Sequence, residues 1–222
     1  MIICKNVKKE FQGEVPFCAV KDVSFHIAEG EFAALIGSSG SGKSTMMNMI
    51  GLIDTPTSGR ILIDGCETDN LTADERAYFR CHKIGYIFQS FYLEDAYTVA
   101  QNIEMPLLIS ETSAKMRRSR IDECLEYVNM LHKKNALVAS LSGGEKQRTC
   151  IARAIANHPK LLLADEPCGN LDSENSRKII ELLLSLNHQK TTILLITHDM
   201  DEAQKASHII ELKDGVVISD EK

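Results

Sequence analysis

Two rhythms of apolar positions alternate along the chain. The stretches "FAALI" (Phe32–Ile36), "LLLAD" (Leu161–Asp165) and "TILLIT" (Thr192–Thr197) are almost continuous apolar runs. Such runs suit strands covered on both faces, as in a parallel sheet flanked by helices. The expected strands are Asp22–Ala28, Glu31–Ile36, Ile61–Asp64, Ile84–Phe88, Leu161–Asp165, Thr192–Thr197 and His208–Leu212. Helical patterns fill the intervals. Lys43–Ile53 follows a glycine-rich stretch, and Ile121, Cys124, Leu125, Val128 and Leu131 recur on one helical face. Thr72 with Glu75, and Thr98 with Gln101, each match a capping box, in which hydroxyl and later side chain satisfy end N–H groups reciprocally. No strand pattern lies between Gln89 and Leu141. The reading is α/β: a core of residues 1–89 and 140–222, interrupted by a helical lobe at 90–139.

Composition narrows the function rather than the fold. With 222 residues and 44% apolar content, the chain can bury one large core. Its net charge of −6 argues against a nucleic-acid partner, because phosphate backbones select basic surfaces. The basic stretch Lys115–Arg120 reads as a solvated helix face. Seven cysteines, at 4, 18, 66, 81, 124, 150 and 168, form no CxxC and no metal-ligand spacing. Free thiols in a reducing, cytosolic setting are expected. The start turns charged too soon for a signal peptide, and no apolar stretch is long enough to span a bilayer.

The candidate chemistry gathers at expected strand ends. "GSSGSGKS" (Gly37, Ser38, Ser39, Gly40, Ser41, Gly42, Lys43, Ser44) fits G-x-x-x-x-G-K-[ST] between a strand and a helix. Glycines let the backbone curl so that its N–H groups face phosphate oxygens. Lys43 is then expected on the β and γ phosphates, Ser44 on magnesium, and Thr45 on a further phosphate contact. "LLLADEP" ends in Asp165, a hard oxygen ligand for magnesium, and Glu166, placed to take a proton from water. Gln89 closes "IGYIF" and His198 follows "TILLIT", so both join the crevice at the carboxyl ends of the strands. Phe11 is an aromatic that either stacks on a base or fills the core. A second cradle, "LSGGEKQRTC" (Leu141–Cys150), is a glycine hinge opening onto a helix, an arrangement that presents N–H groups to an anion.

Taken together, these residues resemble the ATP-binding subunit of an ABC transporter over nearly the whole chain. "GSSGSGKS" is similar to Walker A, Gln89 to the Q-loop, "LSGGEKQR" to the family signature, "LLLADEP" to Walker B with its catalytic Glu166, "GNLD" (Gly169–Asp172) to the D-loop, and His198 to the switch histidine. Phe11 falls where the family places its adenine-stacking aromatic. The resemblance implies a P-loop NTPase core of ABC ATPase type, with an N-terminal antiparallel β portion and an inserted α-helical subdomain. It also implies ATP and Mg2+ as ligands, with Ser44, Gln89 and Asp165 toward the metal. Two copies would close head to tail on two ATP molecules, Ser142, Gly143, Gly144 and Glu145 of one facing the nucleotide of the other. A membrane subunit would dock on the helical lobe from the cytoplasmic side.

Within the family, "FQSFYLEDAYTVAQNIEMPLL", "PTSG" and "EPCGNLDSENS" look most like the macrolide-export and lipoprotein-release subfamily, which includes peptide-antibiotic pumps. The chain departs from the family pattern at four places: Glu145 where Gln is usual, Cys168 for Thr, Phe11 for Tyr, and two acids in "LEDAYTV". The alternative is a mechanical ATPase of the cell-division type, with the same chemistry and no cargo. A soluble DNA- or ribosome-acting relative fits less well, since the interval from Gln89 to Leu141 is too short for a long coiled coil.

Overall fold

The continuous apolar runs lie at the centre of a six-stranded sheet. The computed structural model describes residues 1–13 and 15–222. Its strands are β1 (Ile2–Phe11), β2 (Phe17–Ile27), β3 (Phe32–Ile36), β4 (Ser58–Ile63), β5 (Cys66–Glu67), β6 (Ile84–Phe88), β7 (Leu161–Asp165), β8 (Thr192–Ile196), β9 (His208–Lys213) and β10 (Val216–Glu221). The larger sheet runs β10-β9-β3-β8-β7-β6, parallel from β9 to β6, with β10 antiparallel at its edge. A four-stranded antiparallel sheet, β2-β1-β4-β5, lies against it.

Burial on both faces explains why β3, β7 and β8 carry so few polar residues. Alternate side chains serve two different cores. Leu162, Ala164, Ile193 and Leu195 join the core that includes the helical lobe. Leu161, Leu163, Leu194 and Ile196 join the core shared with β1, β2 and β4. The helices are α1 (Lys43–Ile50), α2 (Ala73–Lys83), α3 (Val99–Ile109), α4 (Ala114–Tyr127), α5 (Gly143–Ala154), α6 (Ser173–His188) and α7 (Met200–Ala203). The capping boxes of Thr72 and Thr98 form as expected, opening α2 and α3. Between Gln89 and Leu141 the regular structure is helical apart from one isolated bridge, Thr98 to Leu137.

Several boundaries differ from the sequence reading, each for a physical reason. The first helix stops at Ile50 rather than Ile53, because Gly51 caps it and Leu52 turns left-handed at φ 59°. Leu131 leaves the face of Ile121 and Leu125: α4 ends at Tyr127, and Leu131 opens a 3-10 turn, Leu131–Lys133, 40% exposed. The strands β1, β5 and β10 have no counterpart among the expected strands. Each is rich in polar residues on at least one face, so its apolar pattern is weak. All seven cysteines are free thiols. Among the described residues, no helix is long and apolar enough to cross a membrane.

The contrast between two leucines gives a direct check. Leu163→Ala removes a fully buried side chain and is expected to lower unfolding free energy in urea by about 2–5 kcal/mol. Leu131→Ala is expected to cost less than about 0.5 kcal/mol in the same measurement, as exposed sites do.

Candidate functional site

The parallel strands all end on one side of the sheet, and the loops that leave them there build the site. After β3 the chain turns through Gly37, Gly40 and Gly42, all at positive φ (145°, 78° and 104°). Two of these glycines are also needed for space. A Cβ on Gly37 would lie 2.1 Å from the Leu212 carbonyl oxygen, and one on Gly42 would lie 2.6 Å from that of Ala19. The loop is thus wedged between β9 and β2. Gly215, in the turn between β9 and β10, donates its N–H to the Ser41 carbonyl at 3.1 Å.

A cavity of about 620 Å3 opens over this loop. It is lined by Ser39, Gly40, Gly42, Lys43, Ser44, Thr45, Glu166 and His198, with Phe17 and Ala19 from β2. Lys43 is buried, and its Nζ donates to the carbonyls of Gly37 at 2.7 Å and Ser38 at 2.9 Å. Burial pushes its pKa down, while Glu166 and Asp165 hold it up. The Asp165 carboxyl is raised above its ordinary value, by burial first and then by the charge of Glu166, against the opposing pull of Lys43. Glu166 sits just past β7 at φ 42°, a backbone state that costs a non-glycine residue energy and is found at functional sites. Its N–H donates to the Ile196 carbonyl at 2.9 Å, and its Oε1 lies 3.3 Å from His198 Nδ1.

The remaining expected residues sit beside this cavity or away from it. Gln89, at the end of β6, touches the loop after Glu166. Asn170 Nδ2 donates to the Gln89 carbonyl at 2.8 Å, and a Cβ on Gly169 would meet Gln89 Nε2 at 2.5 Å. Phe11 does not line the cavity. It ends β1, 44% exposed, with Lys9 Nζ 5.1 Å from its ring centroid. Its register partner across the hairpin, Phe17, takes the cavity wall. Phe17 was not among the residues expected at the cavity, although an exposed aromatic opening a strand shortly before the phosphate loop was an available signal.

Ser142, Gly143, Gly144 and Glu145 form a separate corner at the start of α5, outside the cavity lining. Ser142 caps the helix: its Oγ accepts from the Glu145 N–H. Glu145 Oε2 in turn accepts the Ser142 N–H at 2.8 Å and its hydroxyl at 2.9 Å. The Glu145 carboxyl is held below its ordinary pKa, first by the Ser142 N–H, then by the hydroxyl and by Lys133. Gly144 packs against a side chain: a Cβ there would lie 2.5 Å from Asn175 Oδ1 and would displace it. Further along α5, Arg153 donates to the carbonyls of Phe91, at 2.8 Å, and of Tyr92. Cys150 donates to the same Phe91 carbonyl at 3.2 Å. Buried Asn102 braces the neighbouring loop, bonding both backbone groups of Glu94 and the Thr98 carbonyl. Neither Asn102 nor Arg153 belonged to a motif, and only contacts made by the folded chain reveal them.

A glycine-cradled loop, a buried lysine and a strand-end carboxylate pair at the edge of a parallel sheet define a phosphate-loop nucleotide-binding ATPase. The chain belongs to the ABC transporter family, whose sequence profile matches residues 20–169. An uncharacterized ABC transporter ATP-binding protein of Methanocaldococcus jannaschii, MJ1508, is 42% identical over 219 residues, covering 98% of each chain. The macrolide export ATP-binding/permease protein MacB of Mannheimia succiniciproducens is 42% identical over 221 residues, 99% of this chain but 34% of MacB. Among solved structures, the dimeric post-hydrolysis state of the ATP-binding cassette MJ0796, bound to ADP and Pi, superposes with a TM-score of 0.92. That match has 43% identity and covers 100% of this chain and 98% of that one.

The position of Phe17 yields an expectation for nucleotide binding. Stacking of a base on an aromatic is worth about 1–3 kcal/mol by alanine substitution. Phe17→Ala is expected to weaken binding of a fluorescent ATP analogue by about tenfold or more, and Phe11→Ala by clearly less. Titration of the two variants side by side checks the order.

Proposed function

We propose that this ATPase powers a membrane transporter, as a pair of copies that close on two ATP molecules. The observation that carries the reading is the division of the site. The phosphate loop, Glu166 and His198 share one cavity, whereas Ser142 and Gly143 stand exposed on another face. Exposed N–H groups and a hydroxyl at the start of α5 suit the γ-phosphate of a nucleotide held elsewhere. A second copy supplies that nucleotide.

In this reading ATP lies along the loop, its base against Phe17 and its β and γ phosphates at Lys43. Lys43 exchanges its two carbonyl partners for phosphate oxygens, a charge-assisted and stronger bond. Among the described residues no cluster of three or more His, Cys, Asp or Glu could hold a metal alone. The Ser44 hydroxyl and the Asp165 carboxylate, with the Gln89 amide, are the hard oxygen donors that would hold a magnesium ion. Mg2+ bound there would neutralise charge on the phosphates. Glu166 takes the proton of the attacking water, and His198, 3.3 Å from its carboxylate, would contact the γ-phosphate.

Residues 90–139 act as the helical subdomain that meets the membrane subunit. A groove of about 320 Å3 between the lobe and the core supports this. It is lined by Tyr86, Phe88, Tyr92, Met105 and Ile109 among others, and suits an apolar helix. The chain then sits on the cytoplasmic face of the membrane. The similarity to MacB favours an exporter of the macrolide or lipoprotein-release kind.

Glu166→Gln keeps the shape of the site, removes the base and is expected to slow turnover about 10²- to 10⁴-fold. With ATP, and not with ADP, the variant should move from monomer to dimer on a sizing column. Adding Ser142→Arg should leave ATP binding intact and the chain monomeric. Equal dimerisation of the double variant would remove Ser142 from the interface. A second test concerns the groove. Met105→Asp should spare basal hydrolysis while uncoupling it from transport in vesicles, and equal loss of both would overturn the docking assignment.

A further inference from the structure

We infer that Lys133 is a positioning residue of the signature corner, cancelling the charge that Glu145 brings to the partner's nucleotide. This rests on the reading that Ser142 faces that nucleotide. The helix start at Ser142 attracts phosphate through its dipole, and a carboxylate in the first turn works against it. Glu145 is such a carboxylate, and its two oxygens are divided between two partners. Oε2 takes the backbone N–H and the hydroxyl of Ser142. Oε1 lies 3.3 Å from Lys133 Nζ.

Lys133 reaches this corner from a different part of the chain. It ends the 3-10 turn after α4, which is fixed at both sides: its N–H donates to Met130 and its carbonyl accepts from Ala136, each at 2.9 Å. The Lys133 side chain is only partly exposed, at 37%, and that of Glu145 less so, at 18%. In isolation an ion pair of this kind adds little to folding. Its consequence is local. With Lys133 in place the corner shows phosphate a neutral ion pair, whose carboxylate also holds the Ser142 hydroxyl. Without it, an uncompensated carboxylate repels the triphosphate. Lys133 is thus the local counterpart to Glu145, one of the departures from the family pattern.

The test is a cycle in the Glu166→Gln background, reading the protein concentration at half-dimerisation with ATP. Lys133→Ala is expected to raise it about 5-fold, the size of an exposed charge pair. Lys133→Arg should restore it. Adding Glu145→Gln should abolish the effect of Lys133→Ala, because no charge is left to cancel. Binding of a fluorescent ATP analogue to the monomer should be the same with and without Lys133→Ala, which separates this role from damage to the fold. Should Lys133→Ala leave dimerisation unchanged, or should Glu145→Gln fail to rescue it, the inference is overturned. Failure of the underlying reading looks different: Ser142→Arg would then dimerise like its parent. Specific ATPase activity against protein concentration, with Glu166 intact, ranks the same variants independently of the column and applies even if Glu166→Gln stays monomeric.

Discussion

Everything at this site depends on a backbone that must itself hold phosphate. A chain can wrap an anion with its N–H groups only where side chains do not intervene, and here even a methyl group is too large. The carbonyls of Leu212 and Ala19 fill the space that Cβ atoms on Gly37 and Gly42 would need. The loop is therefore held from outside by two sheets, not only by its own turns. The parallel sheet supplies the strand that launches it, and the antiparallel sheet closes over it and brings Phe17 to the same cavity.

That confinement also sets the electrostatics. In a partly dry setting the charges of Asp165 and Glu166 favour the charged form of Lys43, and Lys43 and Glu166 pull Asp165 in opposite directions. Burial opposes charge on Lys43 and on Asp165, and the opposite sign of each favours the other's charged form. Such a trio gains most from a ligand that brings both negative phosphates and a counter-cation. The exposed corner at Ser142 is built differently. Its carboxylate is fully engaged, by N–H, hydroxyl and ammonium, before any ligand arrives.

The sequence made much of this legible, because buried parallel strands and phosphate loops leave dense local signals. Leu161–Asp165 and Ile84–Phe88 stand where their patterns place them. The capping boxes of Thr72 and Thr98 form for the same reason, since a cap is a contact over three residues. What escaped depends on neighbours far along the chain. β1 and β10 carry many polar residues, and β10 lies at a sheet edge, so both lack a sharp alternation. Leu131 kept helical spacing after its helix had ended. Phe11 and Phe17 are paired in register, and only the folded sheet shows that Phe17 is the one lining the cavity. Lys133 belongs to no motif, and its meaning comes from a partner brought to it by the fold.

Arg153 has a mechanical role in this architecture. Its guanidinium spans from α5 to the carbonyls of Phe91 and Tyr92, both residues in left-handed backbone just after Gln89. Burial disfavours its charge, so it has little freedom to leave those oxygens unpaired. The segment after Gln89 and the helix beginning at Ser142 are thereby stitched together side to side, so neither can shift against the other without breaking a charge-assisted bond.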